Sequence, residues 1–328
     1  MLVTIVNHER IRCTLRKETQ FFQIRRGEGK ATSRPVRKAI PEGRDRAQSA
    51  GLVWVIGALL VGKAAIESWQ VYAAGVGLGA GLEAMPGWFW ASCGFSAGFG
   101  LLVWRLRSAT GPAAAMGSVI CLNILLGQWG GRGVPSAGWR DTGLPALLAL
   151  FVLTFAATRF GRTRKEAMAT AEARTGRRAS QVIANLGVAG LCAGAGTTVW
   201  MAACVAALAE ATADTVSSEM GQAFAGSQWG KTLLITTGRP VAAGTDGGVS
   251  VAGTLLGMAG ALVTVGLSPF AQAGGSLLLT VFGAGCAGLI FDSMLGATVE
   301  RRGWLGNDLV NFTSTVFAAL LGFGVAGL

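Results

Sequence analysis

Residues 181–217, QVIANLGVAGLCAGAGTTVWMAACVAALAEATADTVS, decide how the chain is read. As one helix this run of 37 residues is too long for a simple bilayer crossing, which needs about 20. Gly194-Ala195-Gly196 offers a tight turn inside it, since glycine adopts backbone conformations closed to other residues. A turn there makes two spans, 181–195 and 197–217, and returns the chain to the side it came from. Glu210, Asp214 and Glu219 then fall at the end of the second span.

Composition supports a lipid-solvated chain. The 328 residues are 51% hydrophobic and 14% charged, with mean hydropathy +0.50. Soluble domains carry about 25% charged residues. The charges are clustered, leaving long apolar runs between them. Fifty glycines suit close helix packing in a bilayer, and ten tryptophans against one tyrosine suit the headgroup level. The expected fold is all-α, a polytopic integral membrane bundle of about nine transmembrane helices. Spans are predicted near 52–80, 87–104, 112–128, 143–158, 181–195, 197–217, 247–267, 273–298 and 308–327. Lys63 and Glu67, four apart on one face of the first span, form a pair either buried between helices or marking an interfacial stretch. The six cysteines form no CxxC pair and His8 is the only histidine. That excludes a zinc site and a Ser-His-Asp mechanism.

Residues 1–50 hold twelve Lys/Arg and five Asp/Glu and lack the apolar core of a signal peptide. They read as a basic, disordered cytoplasmic tail ahead of a membrane domain at 51–328; a start codon placed too far upstream is the alternative. With the tail inside, the inside loops are 105–111, 159–180, 218–246 and 299–307. They contain Arg105 and Arg107, seven Lys/Arg from Arg159 to Arg178, Lys231 and Arg239, and Arg301 and Arg302. This matches the positive-inside rule. Merging the two spans at Gly194–Gly196 would put Lys231, Arg239, Arg301 and Arg302 outside. A multi-pass cell-membrane protein with a cytoplasmic N-terminus is therefore expected. Its tail can touch anionic membrane lipid at about 1 kcal/mol per basic residue, and no nucleic-acid partner is expected.

Five features carry chemistry. Glu210 and Asp214 share a helix face, where two carboxylates repel unless a proton or metal intervenes. Mg²⁺ is a natural partner, and a polar helix mouth is the plain alternative. Ser227-Gln-Trp-Gly230-Lys231-Thr232 resembles the end of a P-loop, but Ala225 stands where its first glycine belongs and no strand precedes it. Lys231 remains a candidate phosphate contact as a point charge. Thr236-Thr237-Gly238-Arg239-Pro240 and Gly244-Thr245-Asp246-Gly247-Gly248-Val249-Ser250 lead into a predicted helix N-terminus. That combination suits phosphate, or is a glycine-rich turn between helices. Asp292 lies inside an apolar span, where an acid is a functional candidate. Asp308 begins the last span, where an N-cap explains it. Together the acids, the arginine and the glycine loop suit Mg²⁺-assisted handling of a lipid-borne phosphate. They equally suit a transporter with acids inside its helices.

Five stretches, LRSATGPAAAMGS (106–118), GRRASQVIANLGVA (176–189), ATADTVSSEMG (211–221), LITTGRPVAAGTDGGVSVAG (234–253) and FDSMLGATVE (291–300), carry a family resemblance. Residues 101–328 resemble the integral-membrane family once named domain of unknown function 92, which includes transmembrane protein 19 and a chloroplast phytyl-phosphate kinase. The resemblance implies a kinase passing a phosphoryl group from a nucleoside triphosphate to an isoprenyl (phytyl or prenyl) monophosphate. It implies Asp214, Glu219 and Asp292 as catalytic acids, with Asp214 and Asp292 on Mg²⁺. It further implies Lys231, Thr237, Gly238, Arg239, Gly244, Thr245, Gly247, Gly248 and Ser250 as phosphate contacts. Position 246 departs from the family pattern, being Asp where Asn is expected. The added acid either weakens anion binding or supplies a further metal ligand. A transporter or non-catalytic membrane protein is the alternative.

Overall fold

The computed structural model describes residues 40–76, 85–127, 138–194, 196–272 and 275–327. Most of the basic tail (1–39), the end of the first predicted span (77–80), Arg132 and Ala195 lie outside the described residues.

Each predicted span contains a helix. They are α1 (Glu42–Val76), α2 (Gly87–Arg105), α3 (Gly111–Leu126), α4 (Leu144–Arg159), a short α5 (Arg162–Ala167), α6 (Ala179–Cys192), α7 (Thr198–Ala223), α8 (Val251–Gly266), α9 (Gly275–Leu295) and α10 (Asn307–Ala326). Pro112 and Pro145 sit in the first turns of α3 and α4, where a missing N–H is harmless. Helix α9 runs on through a π-helical turn, Gly296–Glu300. The one sheet among the described residues pairs β1 (Leu233–Leu234) antiparallel with β2 (Gly248–Val249). The chain is thus a helical integral membrane bundle. By length and composition α1, α7, α9 with its π turn, and α10 can each cross a bilayer, while α3, α4, α6 and α8 are apolar but shorter.

Helix α7 is the axis. Most of it is buried inside the bundle, against α4, α6, α8, α9 and α10. Its buried face is built from small residues, among them Ala202, Ala203, Cys204, Ala206, Ala207 and Ala209. Small residues let helix backbones approach closely in lipid. The neighbours answer in kind: a Cβ on Gly257 of α8 would lie 2.6 Å from the Ala213 carbonyl oxygen, and one on Gly322 of α10 would lie 2.8 Å from that of Ala202.

The turn that separates α6 from α7 lies where the sequence places it. Gly194 and Gly196 have φ of 150° and 60°. Facing it is the pair from α1: Lys63 Nζ donates to Glu67 Oε1 at 2.7 Å, and Glu67 is buried. The pair is therefore internal rather than interfacial. A Cβ at Gly194 would touch Glu67 Oε1 at 2.6 Å and Lys63 Nζ at 2.8 Å and displace the pair, and its φ of 150° disfavours a side chain in any case.

Two boundaries differ from expectation. Residues 42–50 form the first turns of α1 and hold the segment before α10: Arg44 donates to the Gly303 carbonyl, Gln48 to that of Trp304, and Ser49 to Asp308 at 2.6 Å. Asp308 is accordingly no N-cap; Gly306 occupies that position and Asp308 accepts from Ser49 one turn inside. Helix α8 starts at Val251 rather than 247, because Gly247 takes a left-handed φ of 71° and Gly248 and Val249 are extended in β2.

Breaking the α1 pair leaves one charge buried alone. Glu67→Ala is expected to cost about 3–5 kcal/mol, seen as lost monodispersity and a lower unfolding temperature in detergent. The double variant Lys63→Met/Glu67→Leu recovers most of that loss. Equal damage from single and double variants would show that the charges themselves do not hold the turn.

Candidate functional site

At the end of the bundle where α7 finishes, a polar cavity of about 260 Å³ opens between α6, α7, the 243–250 loop, the π turn and the start of α10. Its walls come mainly from four of the five stretches that carry the family resemblance, and the fifth, 106–118, is joined to them by backbone hydrogen bonds.

The first wall is a backbone splice. Arg177 N–H donates to the Ser108 carbonyl at 2.9 Å, and Thr110 N–H donates to the Arg177 carbonyl at 3.0 Å. This parallel bridge joins the 106–118 stretch to the 176–189 stretch. It fixes Arg177 at the cavity edge, where its charge acts on Asp214.

The second wall is acidic. Asp214 of α7 and Asp292 of α9 both line the cavity and interact with each other. Ser314 of α10 donates its hydroxyl to Asp292 Oδ1 at 3.2 Å. Asp292 also stands in the fields of Glu210 and Glu300. Glu210, one turn deeper on α7, is 1% exposed, with Asp214 and the Ser314 hydroxyl as its polar neighbours. Acids so placed repel one another unless a proton or a cation lies between them.

The third wall is the glycine loop. β1 and β2 close it at its base, with Ile235 N–H donating to the Gly247 carbonyl at 3.0 Å. Gly247 sits directly on the π turn; a Cβ there would lie 2.3 Å from the Ala297 nitrogen, so only glycine fits. The loop ends at Ser250, whose hydroxyl accepts from Gly253 N–H at 3.1 Å and caps α8. Ser250 lines the cavity, so α8 begins at the cavity's edge.

The structure sorts the candidates. Asp214, Glu219, Asp292, Gly244, Thr245, Gly247, Gly248 and Ser250 all line the cavity. Lys231 is exposed just before β1, and Thr237, Gly238 and Arg239 form the exposed turn after it, so these four are outside the lining. Glu219 has a partner the sequence did not suggest. The fully buried Lys165 of α5 donates to it at 2.5 Å and to the Ala157 and Thr158 carbonyls at 2.9 Å. That ties the end of α4 to α7.

Arg177, Asn185 and Asn311 also line the cavity. Asn311 donates its amide to Asn185 Oδ1 at 3.1 Å, joining α10 to α6. Polar amides inside two apolar spans were the available signal. Among the described residues no group of three or more His, Cys, Asp or Glu side chains is placed to hold a metal ion. Any divalent ion would rest on Asp214 and Asp292 and complete its shell elsewhere, as Mg²⁺ does with water and substrate phosphate oxygens.

With this geometry in place, comparison with known proteins is informative. Residues 94–319 match the model of the family described as integral membrane protein DUF92. The chain belongs to that family. An uncharacterised membrane protein of Synechocystis is 36% identical over 203 residues, 57% of this chain and 74% of that protein. An uncharacterised membrane protein of Methanocaldococcus jannaschii is 38% identical over 119 residues, covering 36% of this chain and 48% of its own. The chloroplast protein VTE6 of Arabidopsis thaliana is 34% identical over 233 residues, 66% of this DUF92 chain and 64% of that one. No solved structure matches.

Repulsion between Asp214 and Asp292 makes a stability prediction. In chelator, Asp292→Asn is expected to melt a few degrees above the parent protein. Added Mg²⁺ or Mn²⁺ should raise the parent's midpoint by mass action and leave the variant's unchanged. Equal shifts in both proteins would remove these acids from any ion site.

Proposed function

We propose that this protein transfers a phosphoryl group from a nucleoside triphosphate to an isoprenyl monophosphate at the membrane surface. One observation carries the reading. A single polar cavity gathers two interacting carboxylates, an arginine and a glycine loop leading into a helix N-terminus, at one end of a membrane bundle. Similarity to VTE6 and membership of DUF92 support it. Its cytoplasmic placement follows the loop charges.

Phosphoryl transfer asks mainly for positioning and charge stabilisation. Arg177 offers planar donors to the non-bridging oxygens of a phosphate. The loop residues Gly244 and Gly247, whose N–H groups are not taken by the Thr245–Ala242 and Gly248–Thr245 bonds, offer backbone donors to a second phosphate beside the N-cap of α8. Asp214 and Asp292 would hold Mg²⁺, which supplies charge neutralisation when bound. A monophosphate oxygen then attacks the terminal phosphorus of the triphosphate. The bond from that phosphorus to its bridging oxygen breaks, and the nucleoside diphosphate leaves. The attacking monophosphate is largely dianionic at neutral pH, so no general base is required. That suits a chain whose only histidine is His8. Lys231 and Arg239, outside the cavity, have no contact in this scheme.

The test is diphosphate formation by the purified protein from isoprenyl monophosphates with Mg²⁺ and several nucleotides, read by mass spectrometry. Asp214→Asn and Arg177→Ala should each lower turnover by about a hundredfold or more, while Arg239→Ala stays near the parent rate. Absence of product with every pair sinks the reading. Nucleotide-independent uptake by proteoliposomes that Asp292→Asn abolishes would establish transport instead.

A further inference from the structure

A second cavity, of about 430 Å³, lies beside the first between α2, α3, α4 and α6. That volume is in the range of small-molecule sites, about 300–1,000 Å³. Its inner walls are apolar, formed by Phe99, Gly117, Leu147, Leu150, Phe151 and Leu186. Along α4 it runs from Leu147 to Arg159, a depth of about 18 Å at 1.5 Å per residue. Its mouth is different: five arginines (Arg107, Arg159, Arg162, Arg174 and Arg177) stand there against Glu166 and Glu172. Glu166 is shared by Arg162 and Arg174 at 3.0 Å each. Arg107 and Arg177, among the described residues, take part in no ion pair.

The two cavities meet at Arg177 and Glu172, which line both. An apolar channel ending in an arginine-rich mouth, one arginine of which also faces the acidic cavity, has the polarity of an amphiphile with an anionic head and one apolar tail. We infer that this channel holds the tail of a single-chain lipid monophosphate, with its phosphate at Arg177 between the two cavities. The inference rests on the lipid-phosphate reading above for the chemistry of the head, and adds where the tail lies. The backbone splice at Ser108–Thr110 and Arg177 then serves both sites, since it forms part of the channel mouth and positions the shared arginine.

Gly117 supplies the variant. It lies on α3 in the channel wall, and a Cβ added there meets nothing within 4 Å. Gly117→Leu therefore fills the channel without a backbone clash, and Gly117→Ala is the mild control. The parent protein in nanodiscs is photolabelled with geranylgeranyl monophosphate carrying a diazirine in its tail, and the labelled peptides are mapped. Label is expected on α2, α3 and α4 peptides facing the channel. Unlabelled geranylgeranyl monophosphate should displace it, inorganic phosphate or excess phospholipid should not, and Gly117→Leu should weaken it about tenfold.

Label confined to lipid-facing helices, or displaced equally by bulk phospholipid, overturns the inference whatever the variant does. Channel label without diphosphate formation from any nucleotide upholds the tail site and refutes the kinase reading. Turnover with label elsewhere does the reverse.

Discussion

Everything in this bundle depends on how closely other helices approach α7. A helix enclosed on nearly every side carries mostly small side chains, and α7 does so from Ala202 to Ala213, where Val205, Leu208 and Glu210 are the larger exceptions. Where α8, α9 and α10 meet it they present glycine, so the backbones nearly touch. Such packing leaves no slack, and it sets where the polar groups on α7 can point. Asp214 lies at the level where the neighbours part and the cavity opens. Glu210, one turn deeper, is still enclosed, with its Cγ against the position of Gly288. The same geometry that makes the axis tight thus assigns neighbouring carboxylates different surroundings.

The cavity is assembled from segments far apart in sequence, and each junction has its own chemistry. Ser108 and Thr110 meet Arg177 through paired backbone hydrogen bonds. Lys165 meets Glu219 through a buried ion pair braced by two carbonyls. Gly247 meets Ala297 by close contact, and Asn185 meets Asn311 through their amides. A non-helical backbone at this depth is permissible because it lines a polar space and its own hydrogen bonds are met by the hairpin. That also accounts for the shortness of α3, α6 and α8, whose starts lie at this end of the bundle.

Much of this was legible beforehand. Apolar runs located every helix but the short, charged α5, and loop charge located the turn at Gly194–Gly196, because both signals act through local composition. The acids Asp214 and Asp292 were legible because an acid in an apolar run has no other ready explanation. Arg177 and Lys165 were not. They lie in the most basic loop of the membrane domain, where seven cations all served the same topological reading, and nothing in the sequence tells a lysine that is fully buried from one that is solvated. Arg239 misled in the opposite direction. Its glycine-flanked setting suggested a phosphate loop, but the β1–β2 pairing puts its turn on the outside and brings only the later glycines inward. Pairing Leu233 and Leu234 with Val249 and Gly248, sixteen and fourteen positions on, is a long-range event that local composition does not encode.

The chain order of these walls has a consequence for biosynthesis. Helix α7 carries Glu210 and Asp214, yet its companions Asp292, Asn311 and Ser314 lie on α9 and α10, which leave the ribosome after it. An aspartate at the centre of a helix raises insertion free energy by about 2.5–3.5 kcal/mol on translocon scales. During synthesis α7 therefore has to remain beside the insertion machinery or beside α4 and α6 until its C-terminal neighbours arrive. The Lys165–Glu219 pair is complete as soon as α7 emerges, since α5 precedes it. It can fasten α7 to the earlier half of the bundle during that wait.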